Sequence, residues 1–143
     1  VLGGLVGITA GCANLDPVFA LVTGAAAGVI VIYSTAFLER FVDDAVGAVT
    51  VHGVCGAWGT LAAGLFDSAG MFNPATVGVQ ILGVLAAFLW AFPLSYLVFK
   101  AIHATVGLRV NGDLEALGLD LHEHDNQAYP EFVASDELSL AEV

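Results

Sequence analysis

Residues 45–66 read AVGAVTVHGVCGAWGTLAAGLF, and this stretch decides the fold. It contains no Asp, Glu, Lys or Arg. It is long enough to cross a bilayer core, which takes ~20 apolar residues. Charged residues 39–44 precede it and Asp67 follows it. A third of the way in stands one ionisable side chain, His52. Such a residue inside a membrane span is costly and faces a bundle interior or a water path. Gly53, Gly56 and Gly59 recur every three positions, the small-residue spacing that lets helix backbones approach closely. A bulky side chain at Gly56 is therefore expected to disrupt assembly.

The same reading extends outward. Residues 17–38 form an uncharged span, and residues 1–15 look like the end of a truncated one. Residues 68–99 are also uncharged, and a helix is predicted from Ala75 to Thr105, the longest in the chain, with Pro93 inside it. Asn14–Pro17 and the Gly70, Asn73 and Pro74 segment read as turns. The predicted fold class is an all-α integral membrane protein, a helical bundle of one partial and three full spans without strands. The chain opens on Val in an apolar run with no basic segment before it, so upstream residues are expected rather than a signal peptide.

Composition agrees. Apolar residues make up 58% of the 143 residues and charged ones 12%, against about 25% for a soluble domain. Mean hydropathy is +0.87. Lipid is the expected solvent. The only basic residues are Arg40, Lys100 and Arg109. Two crossings separate the Arg40 loop from the last two, so all three fall on one side, predicted cytoplasmic, as is the C-terminus. Fourteen acidic residues give a net charge of −11. Nine of them lie beyond residue 106, so an acidic tail follows the spans. This excludes nucleic acid as a partner, since phosphate binding needs clustered Lys and Arg. The expected division is a membrane region, 1–107, and a cytoplasmic acidic regulatory tail, 108–143. Its middle part, 114–129, keeps enough leucines to dock, and its end from Val133 reads as disordered.

His52 carries the chemistry. Burial disfavours the imidazolium, and a neutral imidazole both donates and accepts a hydrogen bond. It can handle a small polar solute or relay a proton; bonding a neighbouring helix carbonyl is the purely structural alternative. At α-helical spacing Ala48, Cys55, Gly56 and Gly59 share its face. His103 reads as interfacial. His122 and His124 face apart on a helix, so no metal and no cofactor are expected. Cys12 and Cys55 read as small packing residues. No phosphate loop, nucleophile elbow or zinc-protease motif is present, and no enzyme activity is expected.

The run Val51-His52-Gly53-Val54-Cys55-Gly56-Ala57-Trp58-Gly59 resembles the segment of the Amt ammonium transporters that bears the second pore histidine. Residues 4–13, GLVGITAGCA, resemble the helix two spans earlier. Gly107-Leu108-Arg109-Val110, Gly118-Leu119-Asp120-Leu121, Glu123-His124 and Ala128-Tyr129 resemble the family's regulatory tail. The resemblance implies the last third of an eleven-helix subunit in the cell membrane, forming a homotrimer with one narrow hydrophobic pore per subunit. It implies ammonium or ammonia as substrate, His52 paired with a second histidine from a helix outside this chain, and Ala48 and Thr9 in the pore wall. For the tail it implies a regulatory role for Gly118, Leu119, Asp120, His124 and Tyr129, with a PII-type signalling protein as partner. An ammonium sensor signalling through the tail is the alternative function. Two departures stand out. Gly47 occupies a position where the family often has Asp, and Asp125-Asn126 follow His124 where a Gly-Glu pair is common.

Overall fold

The computed structural model describes residues 1–126. Tyr129 and the residues from Val133 lie outside them. The chain divides into two compact units, 1–93 and from Leu94 onward.

In the first unit α1 (Leu2–Thr9) leads into α2 (Pro17–Leu38), which starts where Asp16 adopts an extended conformation and Pro17 takes the first helical position. Proline fits there because its missing N–H has no partner in the first turn. A wide π-helical turn (Val49–Val54) then runs directly into α3 (Cys55–Leu65). The fourth helix, α4 (Pro74–Thr105), is the longest, with 32 residues and Pro93 inside it. It begins one residue before the position expected from the sequence. Asn73 sets that start, its side-chain Oδ1 accepting from the Ala75 N–H at 3.0 Å. Among the described residues there is no strand, only an isolated antiparallel bridge between Leu15 and Asp67. The Ser68 N–H donates to the Asn14 carbonyl at 3.0 Å beside it.

The packing rests on small residues. A Cβ added to Gly3 would lie 3.3 Å from Cys55 Sγ. One added to Gly59 would lie 2.2 Å from the Gly7 carbonyl oxygen, and one added to Gly11 3.6 Å from Ala63. The pairs rise together in number, so α1 and α3 run parallel in register. With α2 the numbers run oppositely. A Cβ on Gly3 would meet Val31 at 3.0 Å and one on Gly7 would meet Ala27 at 2.7 Å. The Cys55 thiol donates to the Ala27 carbonyl at 3.5 Å and the Trp58 indole N–H to the Thr23 carbonyl at 3.1 Å. Thus α2 lies antiparallel to both. Ala27, Cys55, Ala62 and Ala63 form the core, with Thr23 and Thr50 also buried. Between helices the tightest approach falls at Gly59, against the Gly7 backbone. At Gly56, singled out from the sequence, an added Cβ would meet only Val6 at 3.8 Å, an ordinary contact.

Beside the Leu15–Asp67 bridge, Phe66 stacks on Phe19 at 4.9 Å and meets Phe72 edge-on at 5.9 Å. At Gly64 an added Cβ would meet Gln80 at 2.7 Å, which marks where the first turns of α4 cross α3. Large apolar side chains face outward along α2 and α4, and α4 buries none of its residues. α2 and α4 are long and apolar enough to cross a membrane, whereas residues 49–65 form a shorter apolar helix.

The stretch 45–66 thus becomes helical three residues later than its composition suggests. Asp44 and Gly47, at φ +69°, hold residues 45–47 in a turn.

In the second unit α4 ends at Thr105 and Gly107 takes φ +80°, the left-handed conformation glycine supplies past a helix end. Among the described residues two short helices follow, α5 (Gly112–Leu117) and α6 (Asp120–His124), separated by Gly118 at φ +92°.

Candidate functional site at His52

The turn that carries His52 is held from its N-terminal side. One oxygen of the Asp44 carboxylate accepts from the Val49 N–H at 3.1 Å. The other accepts from the Thr50 N–H at 3.0 Å and the Thr50 hydroxyl at 3.2 Å. The Thr50 hydroxyl is also 3.1 Å from the Gly47 carbonyl, and Thr50 is fully buried. The Thr50 N–H foremost, with smaller help from the Val49 N–H and the Thr50 hydroxyl, holds the Asp44 carboxyl below its ordinary value. The Cys55 N–H then reaches back five residues to the Thr50 carbonyl, so one extra residue is accommodated in the turn.

That extra residue changes which side chains accompany His52. α-Helical spacing groups it with Ala48, Cys55, Gly56 and Gly59, but the structure splits the set. Ala48, His52 and Gly53 are exposed, Cys55 and Gly59 are buried against α1 and α2, and Gly56 is half-buried. His52 therefore lies on the outer side of a helix whose opposite side is welded to its neighbours by glycine contacts. No described residue hydrogen-bonds the imidazole, and its two nitrogens lie open to whatever covers this face.

Thr9 is exposed, and its hydroxyl donates to the Leu5 carbonyl at 2.8 Å. The parallel register of α1 and α3 sets Thr9 level with Leu61, about 13 Å along the axis from His52 at ~1.5 Å per residue. Ala48 lies one turn from His52, about 6 Å along the axis, and Thr9 about twice as far. In the tail, Gly118 links the two short helices, Leu119 is half-buried, Asp120 opens α6 and His124 closes it. Tyr129 is outside the described residues. The Arg109 guanidinium pairs with the Glu115 carboxylate, both exposed, a kind of contact worth little on its own. Among the described residues no group of three or more His, Cys, Asp or Glu is placed to hold a metal.

Sequence reasoning missed Asp44 and Trp58. The signal for Asp44 was only partial: Asp shortly before an apolar run is a helix-start residue, but the usual cap reaches two or three residues on, and this carboxylate reaches five and six. Trp58 uses its N–H to tie α3 to α2.

The model of the Ammonium Transporter Family matches residues 1–129. The chain belongs to the ammonium transporter family. The ammonium transporter Amt2 of Archaeoglobus fulgidus is 40% identical over 98% of the chain, which covers 34% of that protein. Ammonium transporter 1 of Dictyostelium discoideum is 34% identical over 90% of the chain and 30% of its own length. Amt1 of Haloferax mediterranei is 37% identical over 93% of the chain and 26% of its own length. The chain spans about a third or less of the length of these relatives. Ammonium transporters are membrane transporters and not enzymes, and the outward-facing apolar helices suit that membrane fold.

Proposed function

We propose that the chain is the C-terminal end of an ammonium-conducting subunit, in which His52 lines the conduction path. The observation that carries this is the placement of His52. It is the ionisable residue of an otherwise uncharged membrane helix, turned away from the face that α1 and α2 cover. Its nitrogens need partners at that depth, and a solute path with a second histidine from a helix outside this chain supplies them. A bare cation is expensive in a narrow apolar passage and a neutral ammonia is not, so a neutral imidazole serves as a relay that hydrogen-bonds the solute and passes the proton along. Ala48 leaves room beside it. Thr9, at another level, lines a separate stretch of the same wall.

In this reading residues 1–107 are the membrane region of an eleven-helix subunit, contributing one partial and three full spans. The Arg40 loop and the tail from residue 108 face the cytoplasm, as the basic residues argue. The subunit assembles as a homotrimer. The tail, through Gly118, Leu119, Asp120, His124 and Tyr129, couples the subunits and receives a PII-type signalling protein.

The test is solid-supported membrane electrophysiology on the intact transporter with ammonium pulses. His52→Ala should lower the ammonium-driven current by removing the relay. His52→Asp should keep a polar relay but admit bare cations. An Ala variant with unchanged current and selectivity would sink the proposal.

A further inference from the structure

We infer that Asp44 is a positioning residue for His52, holding open the wide turn that aims the imidazole. This rests on the reading of His52 as a path-lining residue.

A π turn carries one residue more than an α turn, and such bulges persist only where something stabilises them. The first N–H groups of any helix have no partner within it. Here the N–H groups of Val49 and Thr50 are both met by Asp44, one on each carboxylate oxygen. The Thr50 hydroxyl shares its one proton between the same carboxylate, at 3.2 Å, and the Gly47 carbonyl, at 3.1 Å. Thr50 is fully buried, so its side chain has no alternative partner in water. Gly47 takes φ +69°, where a side chain would be strained, and a Cβ there would also press on the Thr50 hydroxyl at 3.2 Å. Carboxylate, threonine and glycine together fix where the turn begins. Glycine contacts to α1 fix where it ends, since Cys55 sits against Gly3 and Gly59 against Gly7.

His52 lies between these two anchors. Losing the first lets the extra residue slip out of the turn towards ordinary α geometry. One residue of slip turns a helical side chain by about 100°. That would rotate His52 off the exposed side it shares with Ala48 and towards the packed side of Cys55. The Asp44 carboxylate bonds Val49 and Thr50 and makes no hydrogen bond to the imidazole. It acts through the backbone.

The experiment uses the intact transporter in lipid, with the ring nitrogens of His52 observed by 15N solid-state NMR and ammonium current measured in parallel. Asp44→Ala should displace the His52 resonances and lower the current about fivefold, the scale of losing a typical helix cap. Asp44→Asn keeps one acceptor oxygen and loses the second, so both effects should be smaller. Thr50→Val, which removes the hydroxyl and keeps the bulk, should resemble Asn and serves if the Ala variant fails to assemble. His52 resonances unchanged in all three variants would overturn the inference, whatever the current does. If His52→Ala conducts normally while Asp44→Ala still displaces the resonances, the conduction role falls and the positioning role stands.

Discussion

Replacing Gly59 with Ala tests the packing that holds the His52 helix in place. The added methyl would sit 2.2 Å from the Gly7 carbonyl oxygen, 2.9 Å from its carbon and 3.0 Å from its Cα. A close carbon–oxygen contact between helices is about 3.3 Å, so α1 and α3 must part by roughly 1 Å. All three obstructing atoms belong to backbone, and no side chain can rotate away to make room. Parting the helices also loosens the contacts of Gly3 with Cys55 and Val31, and strains the 3.1 Å bond from Trp58 to the Thr23 carbonyl. Overpacking of this kind costs about 1–3 kcal/mol. That is roughly a 5- to 150-fold fall in the ratio of folded to unfolded protein. The assay is thermal unfolding of the intact transporter in detergent, followed by size-exclusion chromatography. Gly56→Ala and Gly28→Ala are the controls, because an added Cβ meets Val6 at 3.8 Å in one case and nothing within 4 Å in the other. Both controls trade glycine for a better helix former and should hold or gain up to about 1 kcal/mol. If Gly59→Ala unfolds with the controls, the close contact between α1 and α3 does not exist.

Two more predictions concern single bonds. Trp58→Phe removes the indole N–H that reaches the Thr23 carbonyl, and should cost about 1 kcal/mol in the same unfolding assay while leaving the ring's apolar packing largely intact. The Asp44 cap has a defined pH response. Its folded pKa lies below the ordinary 3.8, so its contribution is present above that value and is lost as pH falls through the folded value. Protection of the Val49 and Thr50 amides, meaning exchange relative to the intrinsic rate at each pH, should therefore stay constant from neutral pH to about pH 5 and fall only in stronger acid; a loss of protection between pH 7 and 5 would contradict the capping.

Much of the helical arrangement was legible because lipid-facing helices need long uncharged stretches, and 17–38 and the helix over 74–105 stand out on that ground. The stop at residue 105 was legible because the sequence turns polar and acidic beyond it, and Gly107 supplies the positive φ past the helix end. The beginning of the His52 helix was not. By composition residues 45–47 merge with 48–66 into one apolar run, whereas the helix start answers to the Asp44 carboxylate, which accepts from the Val49 and Thr50 N–H groups. The face of His52 was misassigned for a related reason. Periodicity assumes 3.6 residues per turn, and a single π turn shifts every residue after it. Nor did spacing rank the glycines. Gly53, Gly56 and Gly59 look alike in sequence, but only Gly59 lies against a backbone carbonyl.

The parallel register of α1 and α3 has a consequence for biogenesis. Two helices that run the same way cannot be neighbours in the chain; α2 must first make the return crossing, and Gly7 waits some fifty residues of synthesis for Gly59. The α1–α2 hairpin, joined by contacts close in sequence, can form as soon as both helices have left the ribosome. Its glycine groove then stays open to lipid or to a chaperone until α3 emerges. Lesions at Gly59 should accordingly leave membrane insertion of α1 and α2 untouched and stall the nascent subunit at the closing of that groove, with the half-built hairpin as the species presented to quality-control proteases.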